Sequence, residues 1–156
     1  MTIEILLIFS LSYLSGSIPF GLILAKFFLN KDLRKIGSKN IGATNVLRTG
    51  NKLIAGLTLM FDITKGVIPV LLTKEYFTDL IYLSSLAAFL GHIFPVWLKF
   101  KGGKGVATYI GIIFVLSLNL SFIFCISWII ISLITKYSSL SSIMSALIIF
   151  IFAFLN

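Results

Sequence analysis

The chain has 156 residues, 58% of them apolar and only 12% charged, with a mean hydropathy of +1.09. No soluble domain of this size needs so much apolar surface, which excludes the ordinary globular classes and leaves a membrane protein. Thirteen Lys and Arg against five Asp and Glu give a formal charge of +8. In this setting the excess reads as topogenic charge, anionic lipid contact or an anionic substrate, not as nucleic-acid binding. A secretory leader would be one apolar stretch ahead of a polar region, whereas apolar segments recur here to the last residue.

A hydrocarbon core of ~30 Å is crossed by roughly 20 apolar helical residues. Such stretches fall near 3–28, 53–73, 79–98, 106–118, 120–135 and 139–155. The expected fold is an all-α polytopic helical bundle with about six transmembrane helices, read as a single domain over residues 1–156 because no linker or internal repeat divides it. In the first span Ser15, Gly16, Ser17, Pro19 and Gly21 interrupt the apolar run. Small residues let helices approach closely and Pro19 kinks the helix, freeing a carbonyl that packing must satisfy, so structure explains this group better than catalysis.

The loop over residues 30–52 carries six cations and the run Gly37, Ser38, Lys39, Asn40, Ile41, Gly42, Ala43, Thr44, Asn45, Val46, Leu47, Arg48. Glycines let backbone approach a ligand, hydroxyls and amides hydrogen-bond it, and cations supply charge; the ligand this suits is a phosphate. The alternative is a turn with incidental polar residues. Asp62 and Lys65 follow in the middle of the second span, on one helix face, where a charge turned to lipid would cost several kcal/mol. They are expected to pair with each other or with a neighbouring helix; a substrate contact is the rival reading and a proton relay through Asp62 a minor one.

His92, the only histidine, stands near the end of the third span in Gly91-His92-Ile93-Phe94-Pro95. No cluster of Cys or carboxylates accompanies it, so no metal site is expected. A His-x4-Asp pair is absent, since Trp97 stands five places after His92. His92 reads either as a packed histidine or as a polar wall of the site. The loop that follows, Lys99 to Gly105, leads into a helix expected to start near Val106. Backbone N–H groups at that N-terminus, the helix dipole and Lys104 would make an anion site, with the backbone amides of Gly102 and Gly103 as further donors. It is no Walker A loop, because Gly105 follows Lys104, so ATP is not implied. The alternative is a Gly-rich interfacial loop with snorkelling lysines. The fourth and fifth spans are short and expected to part at Asn119. Cys125 has no partner at ligand spacing and reads as an apolar packing residue.

By alternation the loops around 30–52, 99–104 and Lys136 lie on one side, and their cations make that side the cytoplasm. The N-terminus and the segment Lys74, Glu75, Asp79 then lie outside.

These clusters together resemble the PlsY family of bacterial membrane acyltransferases. The resemblance rests on Gly16-Ser17-Ile18-Pro19-Phe20-Gly21, on Gly37 to Asn45 with Arg48, and on Gly91 to Pro95 leading into Phe100-Lys101-Gly102-Gly103-Lys104-Gly105-Val106-Ala107-Thr108. It implies transfer of a fatty acyl group from acyl phosphate to glycerol 3-phosphate, giving lysophosphatidic acid and phosphate, with no cofactor. It also implies a bacterial inner-membrane location, cytoplasmic active-site loops, the lipid bilayer as partner and a functional link to the acyl-phosphate-forming enzyme. Catalytic roles fall on Lys104, Arg48 and Ser38. Substrate or phosphate binding falls on Asn40, Thr44, Asn45, Gly42, Gly102, Gly103 and His92, and on Ser139, which resembles a family serine.

The resemblance implies further that the acceptor's own phosphate takes the hydroxyl proton and that the acyl chain lies between helices, open to the bilayer. Where the family usually has Gly, Lys39 stands. The family continues into about one more helix, about seven in all, and a tail with a His-Arg-x-Asn-Ile-type motif. No residue here matches that tail, so the C-terminal helix and tail motif are expected to be missing from this chain. A small transporter of a phosphorylated metabolite is the rival function, and it would need polar or cationic residues at mid-membrane on several spans. A structural subunit without activity is the third.

Overall fold

The computed structural model describes residues 2–155 and, among these, shows helices and turns but no strand. Five helical segments are long and apolar enough to cross a membrane, 2–29, 52–76, 78–98, 118–135 and 138–155, and a shorter apolar helix occupies 106–116. Each of the six expected apolar stretches is therefore helical, with ends shifted by a few residues. Their outer faces carry side chains such as Leu6, Leu11, Leu133, Ile134 and Phe154 in the open, which suits hydrocarbon as the solvent. The chain forms two compact units that divide at Ile112.

In the first unit the opening span is two helices, α1 (Thr2–Ser17) and α2 (Phe20–Leu29), parted at Ile18 and Pro19. A five-residue helix α3 (Ala43–Leu47) lies within the first basic loop, followed by α4 (Lys52–Tyr76) and α5 (Ile81–Ile93). The next helix, α6 (Val106–Leu116), begins where the sequence places it.

Close backbone approach decides the packing of this unit. A Cβ at Gly16 would strike the Ala88 carbonyl of α5, and one at Gly91 would strike the Tyr13 carbonyl and the Ser17 amide of α1. Glycines facing one another across α1 and α5 thus let the two backbones touch, as small residues do in membranes. Gly66 of α4 likewise abuts the Thr108 carbonyl, and Gly111 abuts the Ile63 carbonyl.

Two prolines interrupt the ladder of backbone hydrogen bonds, and α1 and α4 repair each other. Pro69 lies inside α4 and has no N–H for the Lys65 carbonyl, which accepts instead from the Ser15 hydroxyl at 3.2 Å. At the Pro19 break the Ile18 carbonyl accepts from Lys65 Nζ at 2.7 Å.

The second unit pairs α7 (Leu118–Thr135) with α8 (Ser138–Leu155), joined through Lys136 in a left-handed conformation. Trp128 of α7 donates to the Ser142 hydroxyl of α8 at 3.1 Å. The break between α6 and α7 falls at Ser117, not at Asn119 as expected. A serine hydroxyl can accept from a free first-turn N–H, and Ser117 does so from Leu120, whereas Asn119 lies already inside the helix.

Candidate active site

Both Gly-rich loops of the first unit are packed structures. In the first, Leu33 and Val46 are fully buried and join Leu24, Ala25, Ile54 and Ala55 in a core under the loop. Gly21 of α2 abuts the Ile41 carbonyl, so the helix that follows the Pro19 break seats the loop directly. Asp32 caps a single 3-10 turn at Leu33–Lys35. The Arg34 guanidinium and then its backbone N–H hydrogen-bond this carboxylate and lower its pKa from 3.8 to about 2. Since the folded value is depressed, the contact contributes above the ordinary carboxylate range and is lost as the pH falls through about 2. Arg34 is thereby committed to Asp32.

Asn45 organises the rest of the loop. Its side chain is 1% exposed, its Nδ2 protons are shared among the carbonyls of Leu33, Ile36 and Asn40 at 2.8–3.1 Å, and its Oδ1 accepts from the Ser38 N–H at 3.0 Å. Asn40 Oδ1 in turn accepts from the Gly42 N–H at 2.9 Å, which sets Gly42 ahead of α3. A Cβ at Gly37 would meet Asn45 Oδ1 and Arg48 Cδ, so Gly37, Ser38 and Arg48 are brought together around Asn45. Ser38, Thr44 and Arg48 present exposed side chains, while Asn40 is half-buried.

Lys39 adopts φ +59°, in the left-handed region. A glycine there would carry no Cβ penalty, which is a physical reason for the glycine that the resemblance leads one to expect at this place. Lys39→Gly is expected to raise stability by up to about 1 kcal/mol and to leave activity unchanged. Thermal unfolding and turnover of the variant, set against the parent protein, check both.

The second loop is fastened to the end of α5. Gly102 N–H donates to the Ile93 carbonyl at 3.0 Å and Gly103 N–H to the His92 carbonyl at 3.1 Å. These amides, expected to face an anion, therefore already have acceptors; what the two glycines supply is close packing. A Cβ at Gly102 would strike the His92 carbonyl, and one at Gly103 would strike His92 Nε2. Gly105, at φ +78°, ends the loop against the Phe89 ring, and Lys104 is exposed beside it.

His92 is 4% exposed and shares a hydrogen bond of 3.1 Å between Nδ1 and the Thr108 hydroxyl. Beneath it Lys65 Nζ lies 2.7 Å from Asp62 Oδ1, and that oxygen lies 3.9 Å from His92 Nδ1. Asp62 Oδ1 meets no well-aligned hydrogen-bond donor, so the short ion pair is what holds it. The expectation that Asp62 and Lys65 pair with each other or with a neighbouring helix is met in its first form, and Lys65 also reaches the Ile18 carbonyl at the break between α1 and α2. Sequence reading missed Thr108 as a partner of His92 and the repair of both proline breaks by Lys65 and Ser15. A hydroxyl 16 residues from a lone histidine is a signal, but one without a fixed spacing. Ser139 lies in the first turn of α8, in the second unit.

The family profile described as glycerol-3-phosphate acyltransferase matches residues 6–156. The glycerol-3-phosphate acyltransferase of Pelagibacter ubique is 60% identical over 146 residues, covering 94% of this chain and 76% of its own. That of Bartonella henselae is 55% identical over 148 residues, covering 91% of this chain and 70% of its own. Among solved structures, the glycerol 3-phosphate form of PlsY (YgiH), an integral membrane glycerol 3-phosphate acyltransferase, matches with a TM-score of 0.91 and 39% identity. That match covers 97% of this chain and 77% of the solved one. The lysophosphatidic acid form of the same enzyme gives a TM-score of 0.88 at 38% identity, covering 97% and 76%.

Proposed function

We propose the following function for this chain, which belongs to the glycerol-3-phosphate acyltransferase family: it transfers a fatty acyl group from acyl phosphate to glycerol 3-phosphate at its two basic loops. The observation that carries the reading is the match, over 97% of the chain, to an acyltransferase structure in its glycerol 3-phosphate form. The family profile runs through both units, which supports treating residues 1–156 as one transmembrane acyltransferase domain.

A hydroxyl oxygen of glycerol 3-phosphate attacks the acyl carbonyl carbon. The new ester C–O bond forms as the bond from that carbon to the phosphate oxygen breaks, and inorganic phosphate leaves. The hydroxyl proton passes to the acceptor's own phosphate group. An acyl phosphate is already activated, so the protein's task is orientation and charge stabilisation.

Arg48 binds phosphate oxygens through its fork of donors, and Lys104 answers charge on the second phosphate-bearing substrate. Ser38, Asn40 and Thr44 add polar contacts. Asn45, Gly42, Gly102 and Gly103 hold the loops in shape, and His92 stands behind the second loop. In the second unit Ser139 is a candidate hydroxyl contact on the strength of the resemblance alone. The functional partners are the bilayer and the enzyme that forms acyl phosphate.

Buried charge gives a transporter no support. Among the described residues the buried Asp, Glu, Lys and Arg side chains are Asp62 and Lys65, and these neutralise each other. The test is to supply the purified, membrane-inserted protein with labelled glycerol 3-phosphate and acyl phosphate. Lysophosphatidate and an equal amount of phosphate are expected; failure to form either would end the proposal.

We place the protein in the bacterial inner membrane with both loops cytoplasmic and the N-terminus outside, from the Lys and Arg asymmetry between loops. A reporter fused after Asn51 or Lys101 should behave as cytoplasmic and one near Glu75 as external. External signals from both basic loops would reverse the map.

A further inference from the structure

Two buried charges inside a membrane span call for a reason, because an apolar pair of the same volume would pack there without desolvation. Pairing alone does not supply one, and the surroundings of Asp62 and Lys65 do. Lys65 Nζ is bound at 2.7 Å to the Ile18 carbonyl at the break between α1 and α2, and it lies 5.8 Å from the centre of the Phe20 ring. Asp62 lies under His92, whose Nδ1 is 3.1 Å from the Thr108 hydroxyl on α6 and whose Nε2 faces the Gly103 backbone. The residue whose side chain is gripped in this way also offers its carbonyl to the Gly103 N–H.

We propose that Asp62, Lys65 and Thr108 are positioning residues that fix His92, and through it the Gly102–Gly103–Lys104 loop, against the broken first span. The ion pair sets the height of the imidazole, the Thr108 hydroxyl fixes its rotation, and the ring and carbonyl of His92 together locate Gly103, the residue before Lys104. His92 thus acts through the loop and does not touch substrate. The side chain at 65 has to be a donor, since its second partner is a carbonyl. The role rests on the proposed acyl transfer for its consequence, though not for its geometry.

The test separates fold from positioning. Replacing the pair by Asp62→Leu with Lys65→Met removes both charges and keeps the volume filled, so the variant should fold, with its thermal midpoint lowered only by the loss of the Lys65–Ile18 hydrogen bond. Thr108→Val, which removes only the hydroxyl, serves as a second and milder variant that does not depend on the first folding.

Hydrogen exchange of the Gly102 and Gly103 amides should accelerate about tenfold or more in both variants, as protection follows local opening. The Lys39 amide, bonded to Ile36 within its own turn, should exchange as before. Acyl transfer should fall about tenfold in kcat/KM in both variants, and in Thr108→Val it should do so at a thermal midpoint close to that of the parent protein, a split that a purely stabilising hydroxyl would not produce. Unchanged exchange at Gly102 and Gly103 in Thr108→Val, or in a folded double variant, would overturn the proposal. Faster exchange in a protein that never forms lysophosphatidate would support the positioning and count against the enzyme reading.

Discussion

Replacing Lys104 with alanine is expected to cut acyl transfer about a hundredfold and to leave the protein folded in its membrane, the scale seen when one donor to a developing charge is removed. The reason lies in the loop. Gly102 and Gly103 are locked to the end of α5 by two backbone hydrogen bonds, so the exposed ammonium of the next residue starts from a fixed backbone. Charge held in place before the reaction needs no reorganisation during it, which is where such groups gain their effect. An exposed loop lysine contributes little to stability, so thermal unfolding of the variant should stay near that of the parent protein. Rates measured at saturating acyl phosphate, together with the unfolding midpoint, check both halves. A variant that keeps its rate would remove Lys104 from the catalytic group.

Gly103→Ala is expected to lower the rate about ten- to a hundredfold, through misplacement of its neighbour and not through loss of any chemical group. A methyl at this position would strike His92 Nε2, and the imidazole is itself boxed in by Thr108 and the Asp62–Lys65 pair. With neither partner able to yield, the loop has to move, and a shift of about 1 Å in a positioned cation is enough for an effect of this size. Gly50→Ala is the contrasting control: nothing lies near its would-be Cβ. Its cost is confined to the strain of φ +91° and should appear in stability, not in turnover. Kinetics and unfolding of the two variants side by side distinguish these mechanisms.

The helices were legible because apolar runs of membrane length leave few other folds, and the small residues of the first span foretold a close helix contact at Gly16. Gly16 and Gly91 meet across α1 and α5, as small residues in a span lead one to expect. The two loops stand out in the sequence by their mixture of glycine, amide and cation, which is the ground for proposing them as the substrate site. What sequence could not show is how each polar group is spent. Asn45 reads as a phosphate ligand in one dimension, yet its amide is used up on Leu33, Ile36, Asn40 and Ser38, partners fixed only once the loop closes on its core. The Gly102 and Gly103 amides read as anion donors until α5 is seen to offer them carbonyls. Likewise Ser15 gains a purpose only when Pro69, 54 residues away in the chain, is brought beside it. The break before α7 was misplaced by two residues because either Ser117 or Asn119 can cap a helix, and local spacing does not choose between them.

The most direct measurement is acyl transfer by membrane-inserted protein at saturating acyl phosphate over a range of glycerol 3-phosphate, comparing the parent chain with Arg48→Lys and Lys104→Ala. A guanidinium fork binds phosphate oxygens in pairs and an ammonium does not, so Arg48→Lys should need about tenfold more glycerol 3-phosphate although charge is conserved. Lys104→Ala should lower the plateau. Near-parental curves for both variants would contradict a substrate site built from the two loops.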